Sequence, residues 1–243
     1  MISEIFRFDY IIAVSCATAP RFPALHPPRP RWPHSNFSRD GLFAASPLYG
    51  NGDFSGIRVN DRRDQVIILL QKMWHLTNQA VTGNNVSLED SETLSTLIYS
   101  STAWNSLEEH LDTLSPRNSK HTLEPELAEK TVFDVLLAAS IIYHRALSTP
   151  PTTFSAPANV SCLQNLFKYI NVSAPDQFWL RYPGILLWVL LVGCAAAVKR
   201  SERSYFMMFL AKVGIFTELR CWFETESAIL KFIAVQQRLN NRH

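Results

Sequence analysis

From residue 61 onward, apolar side chains recur every three or four positions, the spacing that lines one face of an α-helix. Asp61 or Asp64 is placed to cap a first such helix, which carries Val66, Leu69, Leu70, Met73, Trp74 and Val81 and ends near Gly83. Ser87-Leu88-Glu89-Asp90 has the form of a capping box with a carboxylate at its fourth position. It opens a second helix through Leu94, Leu97, Ile98, Trp104, Leu107 and Leu111, which Pro116 stops. A third runs from Glu124 to about Leu147, with Pro125 in the first turn, where its missing donor costs nothing, and Glu126 and Lys130 as an i,i+4 pair. Pro150-Pro151 ends it.

The remaining pattern predicts a short helix near Ser161 to Ile170, one from about Pro175 with Ser173 and Asp176 as a capping pair, and a last one from about Ser201 to Leu239. Pro183 should break or kink the helix before the apolar run Ile185 to Val198. Residues 132–143 and 185–198 are apolar on every face, so their helices should sit at the centre. Alternating strand patterns and internal repeats are absent from the sequence. The fold class expected is therefore all-α, an irregular multi-helix bundle.

Residues 20–59 are a different material. Seven of the 14 prolines fall between Pro20 and Pro47, which excludes a helix or central strand there and predicts an extended surface run with turns near Asn51-Gly52. Prolines 27, 30 and 33, with Arg29 and Arg31 between them, have the spacing of an SH3-type ligand, against which stands a connector pinned by Phe22, Leu25 and Trp32. Ahead of it, Ile5, Phe8, Ile12 and Cys16 are spaced as an amphipathic helix. The organisation read is an N-terminal helix over 1–19, a Pro/Gly-rich extended segment over 20–59, and a helical body over 60–243, together one domain that could be a truncated one.

Composition adds little: 47% hydrophobic and 18% charged residues in 243 describe a foldable globular protein and exclude a disordered one. The net charge of +2 points to neither nucleic acid nor membrane. Its distribution is uneven, with an acidic excess over 60–147 and a basic excess over 148–243, which reads first as solvated faces of different helices and second as an acidic helical layer docking on a basic one. Ala17-Thr18-Ala19 closes an apolar run in the outline of a signal peptide, but Glu4 and Asp9 outnumber Arg7 ahead of it. Between Arg181 and Lys199 lie 17 uncharged residues, fewer than the roughly 20 that a spanning helix needs.

Candidate chemistry is sparse. Cys16, Cys162, Cys194 and Cys221 form no C-x-x-C pair, so spacing suggests neither a disulfide framework nor a zinc site; they read as small buried hydrophobes in a reducing compartment. Four N-x-[ST] sequons, at Asn36, Asn85, Asn159 and Asn171, compare with about two expected by chance and do not argue for secretion. Gly50 to Gly56 has its third glycine one place late for a phosphate-cradling loop and no strand before it. His75, His110 and His144 lie on three predicted helices, near Glu108, Glu109 and Asp112. Lys199, Arg200 and Arg203 are the densest basic group, better placed to meet the carbonyl end of the preceding helix than phosphates. No catalytic, cofactor-binding or metal-binding residue is nominated, and no cofactor is expected.

Several stretches together resemble the fungal transcription-factor-like domain, the helical middle region of fungal zinc binuclear-cluster regulators. They are Glu4-Ile5-Phe6-Arg7-Phe8-Asp9-Tyr10, Pro20-Arg21-Phe22-Pro23, Trp32-Pro33-His34-Ser35 and Ser46-Pro47-Leu48-Tyr49, then Ile142-Tyr143-His144-Arg145-Ala146 and Pro183 to Gly193, followed by Ala195-Ala196. The family pairs this domain with an amino-terminal six-cysteine cluster that places a helix in the DNA major groove. This sequence departs there, having four dispersed cysteines and no such cluster. The resemblance thus implies a non-enzymatic regulatory role in the nucleus through protein partners, homo- or heterodimeric, with DNA met only indirectly and DNA-contacting residues unknown. The alternatives are a membrane-associated helical protein using Ile185 to Val198 and an α-helical enzyme built around His110 or His144.

Overall fold

A computed structural model describes residues 13, 45–58, 62–82, 125–147, 152–173 and 177–240, with the backbone alone for 125–130, 172–173, 177, 200 and 214–224. These residues are 81% helical and include no strand, so the fold is all-α. The elements are α1 (Arg63–Thr82), α2 (Pro125–Leu147), a 3-10 turn (Pro157–Asn159), α3 (Val160–Ser173), α4 (Gln177–Arg181), α5 (Pro183–Ala196) and α6 (Arg200–Asn240). The helices expected from periodicity over 61–83, 124–147, 161–170 and 201–239 are α1, α2, α3 and α6. The helix opened by Ser87, the amphipathic stretch before Pro20 (apart from a helical, buried Ala13) and the SH3-like prolines lie outside the described residues, as does Asp176 of the expected Ser173–Asp176 cap, while Ser173 is the last residue of α3.

Proline punctuates this architecture as its chemistry requires. Pro125 and Pro183 each stand first in a helix, where an amide donor would have no partner. At Pro183 the helix breaks instead of kinking: α4 ends at Arg181, Tyr182 adopts a non-helical conformation, and α5 begins. The junction stays tight because the Tyr182 carbonyl accepts from Ile185 at 3.1 Å and Leu186 at 3.3 Å, and its own N–H donates to Phe178 O at 2.9 Å.

As the apolar patterning predicts, α2 and α5 form the centre. Every residue of α2 from Thr131 to Leu147 is buried except Arg145, and in α5 only Leu186 is partly exposed before Ala195. One face of α2 packs on α3, others on α1 and α5, and α5 packs on α6. Each fully buried Leu or Val here contributes about 1.5–3 kcal/mol of transfer free energy. The helix α5 has 14 residues. At 1.5 Å per residue it is about 21 Å long, short of a hydrocarbon core of about 30 Å. No helix of the described residues is long and apolar enough to cross a membrane.

Residues 45–58 carry the turns expected near Asn51-Gly52, but they are neither extended nor confined to the surface. They form successive tight turns: Tyr49 N–H donates to Ser46 O at 3.1 Å, and Ile57 N–H to Phe54 O at 3.1 Å. Leu48, Phe54 and Ile57 are buried. The reason is that proline and glycine forbid regular structure without forbidding burial, and the three apolar side chains join the hydrophobic core. The Arg63 guanidinium closes the seam, donating to Ile57 O at 3.0 Å and Ser55 O at 2.6 Å.

The seam between α6 and α1 uses neutral acceptors for two cations. Where α6 meets α1, Lys231 Nζ donates to Asn78 Oδ1 at 2.8 Å and Arg238 to Ala80 O at 2.6 Å. The cations of α6 thus find neutral oxygens on α1.

Candidate functional site

The central junction is built by residues of five segments. Tyr143 of α2 is fully buried, with ring centroids 5.7 Å from Trp188 of α5, 5.9 Å from Phe154 and 6.3 Å from Phe232 of α6. The Trp188 contact is edge-on, as aromatic quadrupoles favour. Thr77 of α1 donates its hydroxyl proton to Met73 O at 2.7 Å, so the 2.8 Å bond between Thr77 Oγ1 and the Tyr143 hydroxyl has Tyr143 as donor. Burial pushes the Tyr143 hydroxyl far above its ordinary value, which keeps it a donor. This junction is a locked core.

A second cluster lies at the end of α2. Arg145 donates to Ala158 O at 2.6 Å and lies 3.7 Å from the Cys162 sulfur, while Thr152 Oγ1 donates to Arg145 O at 2.8 Å. Asn159, almost wholly buried, donates through Nδ2 to Phe154 O at 3.0 Å. Burial pushes the Cys162 thiol up, outweighing the Arg145 guanidinium that favours thiolate. Beside it in sequence, burial, then Arg145 and Lys72, hold His144 below its ordinary value. Cys162 is therefore a protonated thiol, not activated as a nucleophile, and His144 is a neutral imidazole.

The histidines that sequence singled out are kept apart in kind. His75 is exposed, its ring edge-on to Trp74 with centroids 5.0 Å apart, whereas His144 is buried; His110 lies outside the described residues. Among the described residues no group of three or more His, Cys, Asp or Glu could hold a metal ion. Cys162 and Cys194 are buried thiols in no disulfide; the side chains of Cys16 and Cys221 lie outside the described residues. Gly50 and Gly52 both have positive φ, and the loop they shape packs on Trp74 instead of opening a helix N-terminus.

Of the basic group, Arg203 sends Nε and a terminal nitrogen to Ala197 O at 3.1 and 2.9 Å, satisfying a carbonyl at the end of α5 as position suggested. Lys199 meets Glu202 at 3.8 Å from an exposed position, a contact of little energetic weight. Two sequons fall on described residues. Asn159 is buried with its amide engaged, and Asn171 is exposed, its Oδ1 accepting from the Tyr205 hydroxyl at 2.6 Å.

Sequence reasoning had no means of finding Thr77 or Tyr182. The Tyr182 hydroxyl accepts from Arg58 N–H at 2.8 Å and donates to Gly56 O at 3.2 Å, a bridge across more than 120 residues. Comparison of the protein with protein-family models, with curated proteins and with solved structures finds no match.

Proposed function

We propose that this protein is a helical regulatory domain of the fungal transcription-factor-like type, non-enzymatic, nuclear, and acting through protein contacts. The observation that carries the reading is spatial. Motifs that carry the sequence resemblance and are far apart in sequence converge: Tyr143, from the first, packs edge-on against Trp188, from the second. Ser46 to Tyr49 adds a third, its Ser46 and Leu48 buried in the same core. Convergence of this kind is what a motif set selected for one fold produces, and the Cys162 thiol, kept protonated by burial, is not poised as a nucleophile. In this reading the helical body holds or releases a DNA-binding partner, so DNA is met only indirectly.

The membrane-associated alternative rests on Ile185 to Val198, and its helix is 14 residues long and enclosed by α2 and α6.

The test is a fusion of the full-length protein to a heterologous DNA-binding module, with a reporter gene behind that module's site. The fusion is expected to change reporter transcription severalfold relative to the module alone, and the protein tagged with a fluorophore to accumulate in nuclei. A folded fusion that reaches the nucleus and leaves transcription unchanged overturns the proposal. Retention of the tagged protein in carbonate-washed membranes would select the alternative.

A further inference from the structure

The Asn51-Gly52 step stands on the surface with its side-chain amide already folded toward the following backbone. Asn51 is exposed, and its Oδ1 accepts the Asp53 N–H at 3.1 Å, closing an Asx turn whose ring contains both Asn51 Cγ and the Gly52 nitrogen. Gly52 has φ of 79°, a conformation that glycine adopts without strain, and no side chain to obstruct its nitrogen. Among the described residues, no backbone acceptor holds the Gly52 N–H.

We propose that Asn51 is a site of spontaneous covalent modification in the folded protein, converting to a mixture of isoaspartate and aspartate. The Gly52 nitrogen gives its proton to water and bonds to Asn51 Cγ. The Cγ–Nδ2 bond breaks, and Nδ2 leaves as ammonia with a proton from solvent, producing a five-membered succinimide. The donated N–H of Asp53 polarises the Cγ carbonyl and steadies the charge on Oδ1 during attack. Water then opens the ring. Cleavage of the new Cγ–N bond leaves aspartate, and cleavage of the original peptide bond leaves isoaspartate, joined to Gly52 through Cγ. No oxidant or reductant is involved.

The position gives the reaction a structural consequence. The Trp74 indole N–H donates to Gly50 O at 3.3 Å, and its ring lies so close over Gly52 that a Cβ there would sit 2.8 Å from Trp74 Cδ2. Trp74 therefore grips the backbone on both sides of Asn51. Isoaspartate inserts one extra carbon into the backbone between those two grips, and one of them must let go.

The experiment incubates the full-length folded protein at mildly alkaline pH, quenches in acid, digests with trypsin and follows peptide 40–58, in which Asn51 is the sole asparagine. That peptide is expected to gain about one dalton and to resolve into two isomers by chromatography. Asn51→Gln, which has one more methylene and forms the ring far more slowly, should abolish the gain. A synthetic 40–58 peptide in the same buffer is the reference. If the free peptide converts while the peptide recovered from the folded protein keeps its mass, the proposal is overturned.

Discussion

His144 shows how burial changes the chemistry of one residue. As a histidine on a helix it reads as a candidate base, yet burial first, then the charges of Arg145 and Lys72, hold its protonation below the ordinary value of 6.5. The folded state thus resists a proton that the unfolded state accepts. Above about pH 6.5 both states are neutral at this position and its contribution to stability is fully present. As pH falls through that value, the unfolded state takes up the proton and the contribution is lost, with a slope of up to about 1.4 kcal/mol per pH unit. Urea midpoints measured between neutral and mildly acidic pH should fall for the wild type and fall less steeply for His144→Gln. The residue type could be read from sequence; its protonation could not, because the two cations come from α1 and from the neighbouring position on α2.

At the scale of elements, the close approach of α5 and α6 depends on Gly193. A methyl group there would lie 2.6 Å from Phe206 Cδ1 and 2.8 Å from Cζ, and Phe206 is itself fully buried. Gly193→Ala is expected to cost about 1–3 kcal/mol, the usual range for overpacking. Shrinking the opposing ring, as Phe206→Leu, should recover part of that loss in the double variant, so the two changes are non-additive in thermal or urea unfolding. Helix boundaries were legible in the sequence: Pro125 and Pro183 open α2 and α5, and apolar spacing outlines α1 and α6. The partner of each face was not, since periodicity tells which side of a helix is apolar and says nothing of what lies opposite. The fate of residues 45–58 was misread for a related reason. Proline and glycine declare the absence of regular structure, while burial of Leu48, Phe54 and Ile57 depends on a core that exists only once the chain has folded.

For the whole molecule, Tyr182 is the tie between distant parts. Its hydroxyl bridges Gly56 and Arg58, and its ring packs on Phe178 with centroids 4.9 Å apart. Tyr182→Phe keeps the ring contact and removes two hydrogen bonds, at a cost of about 0.5–1.5 kcal/mol each. Hydrogen exchange at the Arg58 amide should accelerate, while amides within α2 and α5 keep their protection. Uniform acceleration throughout the protein would instead assign Tyr182 to the global fold. Local spacing alone was enough to place four helices and to choose α2 and α5 as the centre, because a 3.6-residue period and an all-apolar face are properties of neighbouring residues. Only the tertiary structure decided that Tyr143 donates to Thr77, that Cys162 stays a thiol beside Arg145, and that Tyr182 clasps the glycine turns. Those outcomes depend on which groups meet after the backbone has folded back across 66 residues for Thr77 and Tyr143 and 126 for Gly56 and Tyr182. Burial away from water keeps the Tyr143 hydroxyl and the Cys162 thiol protonated.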